Sequence, residues 1–332
     1  MRSAAFVLAL LMLGAGSAAA TDRIAQIRER GALNCGIWPH VPGFASGQGG
    51  RYLGFDTDVC RAVAAAIFGD ASKVRFVAVE RIEQFAREPD IDMVVRRLTS
   101  TPRRERSSGM VFGPVVYYDG QGFLVPHDAG VKRPADLAGA SVCVLNVERH
   151  PETLRNYFQH AGARIRMVLV ESDKAAELAL RNDRCRAYSA DITWLAAARS
   201  VFEGGSGRYD ILPDSISKEP LAPLMRPQDD DLVQLVRWTV YALIEAEELG
   251  ISSKNVGHVP DSLKVRTFMK VHPGVDVALD AGDWVRGLIV AVGNYGEIFD
   301  RNLGPGTAID LDRGLNRLWS KGGLMYAPPL DR

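Results

Sequence analysis

The sequence carries no surplus of either charge: 40 Lys and Arg stand against 40 Asp and Glu in 332 residues. A general nucleic-acid binder needs a basic excess to neutralise phosphates, so that class is excluded. Beyond the first twenty residues there is no uninterrupted apolar run of about 18 residues, the length that a membrane-spanning helix requires. The six histidines (His40, His127, His150, His160, His258 and His272) show no H-E-x-x-H spacing, and no metal or other cofactor is expected. No G-x-S-x-G nucleophile elbow is present. A dinucleotide fingerprint is missing too, because Gly204-Gly205-Ser206-Gly207 precedes a strand-like run instead of following one. Internal repeats and low-complexity tracts are absent. Cysteine is scarce, with Cys35, Cys60, Cys143 and Cys185 the complete set.

What is there begins with an export signal. Arg2 supplies a positive start, Ala4 to Leu13 an apolar stretch too short to anchor, and Ala18-Ala19-Ala20 a small-residue cleavage site. Cleavage after Ala20 and a soluble exported product are expected, and no cysteine follows the site to take a lipid. Losing Arg2 leaves 39 basic against 40 acidic residues. An even cysteine number in an exported chain points to disulfides. Three pairings are open. Cys35–Cys60 with Cys143–Cys185 follows if the second pair lies in a different domain from the first, and buried free thiols are the alternative.

Residues 21–332 are long enough for two domains, each with its own core. After a short helix near Asp22 to Arg30, strand-like and helix-like runs alternate. Leu33 to Ile37 is strand-like; Val59, Val63 and Ile67 share one helical face that Asp56 or Thr57 can cap and Gly69 stops. Lys73 to Val79 and Ile91 to Val95 read as strands around a brief helix at Ile82 to Arg87. Val111 to Val125 holds two extended runs. A second α/β series follows: strands at Ser141 to Leu145, Ile165 to Val170, Cys185 to Ser189 and Arg208 to Leu212, and helices opened by Pro151, Ser172 and Asp191. Long helices at Asp229 to Leu249 and Asp283 to Asn294, then a Gly- and Pro-rich tail from Asn302 to Pro329 that should wrap, complete the chain. Strands separated by such helices mean βαβ units and a mainly parallel sheet. With crossing segments near residues 120 and 220, the pattern predicts two lobes that close on a ligand by a hinge. Lobe 1 is expected to comprise residues 21–119 and 221–332, and lobe 2 residues 120–220.

The stretch Thr99-Ser100-Thr101-Pro102-Arg103-Arg104 follows the strand-like Ile91 to Val95, so its polar residues are expected in a loop at the strand's carboxyl end, where open α/β sheets bind ligands. Arg offers a planar fork that grips a carboxylate bidentately. The bland alternative is a solvated basic face made of Arg96, Arg97, Arg103, Arg104 and Arg106.

Several longer stretches then carry a resemblance. They are Gly54-Phe55-Asp56-Thr57-Asp58-Val59-Cys60-Arg61-Ala62, Tyr117-Tyr118-Asp119-Gly120-Gln121-Gly122-Phe123, Ile216-Ser217-Lys218-Glu219-Pro220-Leu221, Gly293-Asn294-Tyr295-Gly296-Glu297-Ile298-Phe299 and Gly314-Leu315-Asn316-Arg317-Leu318-Trp319. Over nearly the whole exported chain the sequence resembles the periplasmic solute-binding proteins (family 3) of amino-acid ABC transporters, in the general or polar L-amino-acid branch. The resemblance implies a type II periplasmic-binding-protein fold: two α/β lobes, each with a mixed, mostly parallel sheet flanked by helices. It also implies a non-enzymatic role, capturing an amino acid or related small anion between the lobes and delivering it to a permease, as a monomer. Carried over residue by residue, it places Thr99 and Arg104 on the ligand's α-carboxylate and Asp191 on its α-ammonium. Phe44, in Pro42-Gly43-Phe44, sits where the first loop would reach the cleft, with plain packing as its alternative.

This chain departs from the family pattern in three places. Asn146-Val147-Glu148-Arg149-His150 stands where a Ser-Gly-Thr-Thr type run usually clasps the carboxylate, so Asn146 and Arg149 are the candidates there. The run before the strand is shortened to Phe85-Ala86-Arg87-Glu88-Pro89-Asp90, and Arg97 replaces a small polar residue. The extra Arg97 and Arg103 motivate a second reading: the same fold with a drifted site that takes a more acidic ligand or serves a sensor. A third, an exported dehydratase-like enzyme, has only His150 near the cleft as an acid/base candidate.

Overall fold

The computed structural model describes residues 22–48, 51–147, 149–259, 261–278 and 283–329. The expected export signal and Glu148 lie outside the described residues. Two five-stranded sheets form the frame. The first runs in the order Val74–Ala78, Leu33–Ile37, Met93–Val94, Leu224–Met225, Val111–Phe112, and the second Arg166–Val170, Ser141–Leu145, Ala187–Asp191, Gln121–Pro126, Tyr209–Ile211. Each is mixed. Leu33–Ile37 is parallel to both neighbours, as is Ser141–Leu145, whereas Leu224–Met225 and Gln121–Pro126 are antiparallel to theirs. The expectation of mostly parallel sheets is therefore corrected to half of the pairings. The reason is the connections: Gln121–Pro126 and Leu224–Met225 enter their sheets straight from crossing segments, without the crossover helix that a parallel neighbour needs.

Those crossing segments are Tyr117–Asp119 and Glu219–Leu221, which pair antiparallel with Tyr118 opposite Pro220. Gly120 follows immediately, and an added Cβ there would lie 2.6 Å from the Ser217 carbonyl oxygen. Two adjacent strands thus carry the chain out to the second sheet and back.

The helix Phe55–Phe68 is buried along almost its whole length, because it is sandwiched between the first sheet and the helices Asp230–Glu248 and Trp284–Val292. Its Ala62-Val63-Ala64-Ala65-Ala66 run allows close approach on all sides. Gly54, not Asp56 or Thr57, is the N-cap; it adopts φ 138°, and a Cβ would meet the Phe44 carbonyl oxygen at 2.2 Å. Thr57 Oγ1 instead donates to the Gly54 carbonyl at 2.8 Å. Gly69 ends the helix in the left-handed region as expected. In the second sheet the period of two is visible: Phe123 and Val125 pack with Leu154 and Phe158 on one face, Leu124 with Leu180 and Leu195 on the other.

The two disulfides are Cys35–Cys60 and Cys143–Cys185, the local pairing. The first ties the strand Leu33–Ile37 to the helix Phe55–Phe68; the second ties the strand Ser141–Leu145 to the approach of Ala187–Asp191. The tail wraps without building a sheet. Asn316 clamps the crossing strand from both sides, accepting from Tyr118 N at 2.6 Å and donating to Tyr118 O at 3.0 Å. Arg199, on the helix Ile192–Val201, reaches the tail from the second sheet, donating to the carbonyls of Ile309 at 2.6 Å and Asp310 at 2.8 Å. Short helices at Tyr295–Asn302 and Leu263–Phe268 were not expected, nor was the hairpin Ser46–Gln48 with Arg51–Leu53.

Candidate functional site

The strands Leu33–Ile37 and Met93–Val94 end side by side, and the residues just past them turn toward the second sheet. Trp38 follows the first, Arg96 and Arg97 the second. From the opposite side Asp191 ends its strand and at once begins the helix Ile192–Val201, which carries Trp194 one turn on. Trp38 and Trp194 meet with ring centroids 5.5 Å apart, tilted by 55°. Strand ends from both sheets therefore meet at one junction, the place where open α/β sheets receive ligands.

Arg97 lies at its centre. Its guanidinium carbon is 5.6 Å from the Trp38 ring, 5.4 Å from Trp194 and 5.1 Å from Phe44. Its backbone sits at φ 55°, a left-handed conformation uncommon for a side chain of this size. The Nε and Nη2 atoms are buried and make no hydrogen bond among the described residues. Burial pulls the guanidinium pKa below its ordinary value, while Asp56, Asp119, Asp191 and Asp173 oppose that pull. Arg96 stacks over the other approach to Trp38, at 4.8 Å.

The carboxylates around it differ in state. Burial pushes Asp56 up to about 7 against the attraction of Arg97 and Arg96. Asp119, at the end of the crossing strand, is also raised to about 7, first by burial and then by repulsion from Asp191. Hydrogen bonds from Thr193 Oγ1, Thr193 N and Gly120 N hold Asp119 in place. Asp191 stays one-third exposed, and its Oδ1 lies 3.0 Å from His150 Nε2. Oδ1 is thus engaged.

The residues expected at the site are distributed unevenly. Arg104 is not in a loop: Thr101 caps and Pro102 opens the helix Pro102–Ser108, on which Arg104 occupies the first turn. Its Nη1 donates to the Thr99 carbonyl at 3.0 Å, so the contact between these two runs through the Thr99 backbone. Thr99 itself is buried and bridges Leu221 of the crossing strands. Phe44 is fully buried, edge-on to Phe55 and Tyr117, yet it also lies against Arg97; core packing and contact with that guanidinium coincide in one residue. Asn146 and Arg149 turn outward. Asn146 donates to Glu171 at 2.8 Å, and the side chain of Arg149 is 73% exposed beside Glu152.

Trp38, Trp194, Asp56 and Asp119 escaped sequence reasoning. A position one residue past a predicted strand was a usable signal for Trp38, and the turn after Asp191 for Trp194. Asp56 passed for a helix cap, and nothing local marks Asp119. Among the described residues no group of three His, Cys, Asp or Glu is placed to hold a metal ion, and no helix is long and apolar enough to cross a membrane.

Comparison with known proteins agrees with this geometry. The model of the bacterial extracellular solute-binding proteins, family 3, matches residues 33–257. The chain is 38% identical over 336 residues to the general L-amino acid-binding periplasmic protein AapJ of Rhizobium johnstonii, covering 99% of this chain and 98% of that one. It is also 38% identical over 341 residues to the glutamate/glutamine/aspartate/asparagine-binding protein BztA of Rhodobacter capsulatus, with 99% of each chain covered. Among solved structures, an ABC transporter periplasmic binding protein from Brucella ovis with glutathione bound superposes with a TM-score of 0.79 at 36% identity, covering 93% of this chain and 99% of that one. Both sheets and their crossing strands accord with that fold, and the chain belongs to the bacterial extracellular solute-binding proteins, family 3.

Proposed function

We propose that this protein is a periplasmic receptor that captures an amino acid or a related small anionic solute between two lobes and hands it to an ABC permease. The observation that carries the reading is the junction of the two sheets' strand ends. Cations from the first sheet's strand ends, Arg96 and Arg97, face an anion, Asp191, from the second, between two tryptophans. One fixed cation and one fixed anion suit a zwitterion and leave its side chain to the walls. The names of the relatives, general L-amino acid-binding and glutamate/glutamine/aspartate/asparagine-binding, support the solute class. In this reading Arg104 and Thr99 hold the α-carboxylate and Asp191 Oδ2 takes the α-ammonium. Residues 22–119 with 221–329 move as one lobe and 120–220 as the other, about the paired strands Tyr117–Asp119 and Glu219–Leu221. The working form is a monomer cut after Ala20 that takes no nucleic acid.

Closure follows from differential contact: a ligand that touches both Arg104 and Asp191 does so only when the lobes are together, so it stabilises that state. Isothermal titration of the purified protein against the amino acids and small peptides tests the reading. A ligand is expected whose affinity falls at least about thirtyfold in Arg104→Ala and in Asp191→Asn, the loss of a buried charge-assisted partner being worth about 2–5 kcal/mol. Absence of any such ligand, or affinity that survives both substitutions, sinks it.

A further inference from the structure

The feature left unexplained by a generic zwitterion clamp is Arg97. Trp38, Trp194 and Phe44 surround its guanidinium at 5.1–5.6 Å, so aromatic surface takes up much of its neighbourhood. A guanidinium's remaining directions of interaction lie in its plane, along its N–H bonds. Nε and Nη2 point along one edge, as the parallel pair of donors that a carboxylate meets side-on with both oxygens. Both of these Arg97 atoms are buried and without a hydrogen-bond partner among the described residues. Asp56, Asp119, Asp191 and Asp173 lie near enough to act on Arg97 through space, yet none of them hydrogen-bonds that edge. Buried donors on a cation are costly to leave unmade, and here a left-handed backbone at φ 55° holds the side chain that presents them.

Resting on the amino-acid-receptor reading above, we propose that the Nε/Nη2 edge of Arg97 is the receptor for a second carboxylate of the ligand, so that the protein selects acidic zwitterions such as dicarboxylic amino acids. The same residue excludes the opposite class. Trp38 and Trp194 form the kind of aromatic enclosure that attracts a cationic side chain, but Arg97 already fills it with the chain's own guanidinium. An amide ligand of equal size would present an NH2 group to N–H donors and leave half of the edge unmade. A site built around a buried donor pair rejects such an isostere strongly.

The test is isothermal titration of the full exported chain, disulfides intact, with L-glutamate, L-aspartate, L-glutamine, L-asparagine, L-leucine and L-arginine. The expected order is carboxylate over amide by at least about thirtyfold, with L-arginine weakest. In Arg97→Asn, chosen because Asn tolerates a left-handed backbone, the carboxylate preference, read as the ratio of glutamate to glutamine affinity, should shrink to within about threefold. Arg97→Lys keeps the charge without the edge and should give an intermediate preference. Glutamine bound as tightly as glutamate by the wild type overturns the proposal, as does a preference that persists in Arg97→Asn. Should Arg97→Asn not fold, the wild-type order and Arg97→Lys decide: a full preference in Arg97→Lys counts against the edge. Binding of neutral amino acids without carboxylate preference removes this inference alone. Binding of no zwitterion at all removes the receptor reading beneath it as well.

Discussion

Replacing Asp56 by Asn should make the protein more stable, and more so as pH rises toward neutrality. Asp56 lies in the first turn of the helix Phe55–Phe68, 3% exposed, with its carboxyl raised from 3.8 to about 7 chiefly by burial. The sign follows from proton counting. Between pH 3.8 and about 7 the folded state holds a proton here that the unfolded chain has released, so unfolding releases it and stability falls as pH rises. Below that window the wild-type carboxyl is neutral in both states and Asn imitates it; above it, the wild type alone keeps a buried charge. At about 1.4 kcal/mol per unit, a rise of about three units gives a full effect on the order of 4 kcal/mol. The attraction of Arg97 and Arg96 is already contained in the value of about 7, so it does not offset this further. Chemical denaturation of both proteins at pH 4.5 and pH 8, disulfides intact, measures it. An offset of about 1 kcal/mol at pH 4.5, already inside the window, growing to a gain of at least about 3 kcal/mol for the variant at pH 8, is expected. An equal offset at both pH values, or a variant less stable at pH 8, would refute the reasoning.

Two further outcomes follow from the fold. Cys143 and Cys185 are 42 residues apart and Cys35 and Cys60 are 25 apart. Loop-closure entropy makes these bridges worth about 4 and 3.5 kcal/mol. Double Ser variants of each pair, compared by urea denaturation, should therefore lose several kcal/mol each, the 143/185 pair slightly more. Arg199→Met should free the tail, since it removes the donor to the Ile309 and Asp310 carbonyls. Hydrogen exchange in the segment 303–313 should speed up, with a stability loss of about 2 kcal/mol, and unchanged exchange there would show that the contact restrains nothing.

Much of the architecture was legible because buried strands and capped helices leave strong local marks. Ser141–Leu145 was readable to the residue, as was the cap at Ser172, whose hydroxyl accepts from Ala175 N. The helix Tyr295–Asn302 had a readable signature too, an Asn294 to Glu297 capping box, but it is short and sits beside a glycine that hid it. Pro102–Ser108 was obscured for a different reason: its seven residues bury none of their number, so there is no apolar stripe for periodicity to detect. The site was legible only in part. Asp191 and Arg97 are candidates through the family resemblance, Asp191 by matching its pattern and Arg97 by departing from it. The ring of Trp38, Phe44 and Trp194 around Arg97 joins positions 38 to 194 in the chain, a proximity that only the packing of two sheets creates. Asn146 and Arg149 followed from analogy of place, and their side chains turn to Glu171 and Glu152 instead.

The placement of the two disulfides has a consequence for how the molecule can be both sturdy and mobile. Each joins a strand to an element packed in the same half of the frame, and neither spans Tyr117–Asp119 or Glu219–Leu221. Oxidation therefore works like rivets driven into two separate plates, leaving the joint between them untouched. A reducing agent should therefore soften each plate by itself, while the paired strands between them keep their backbone ladder.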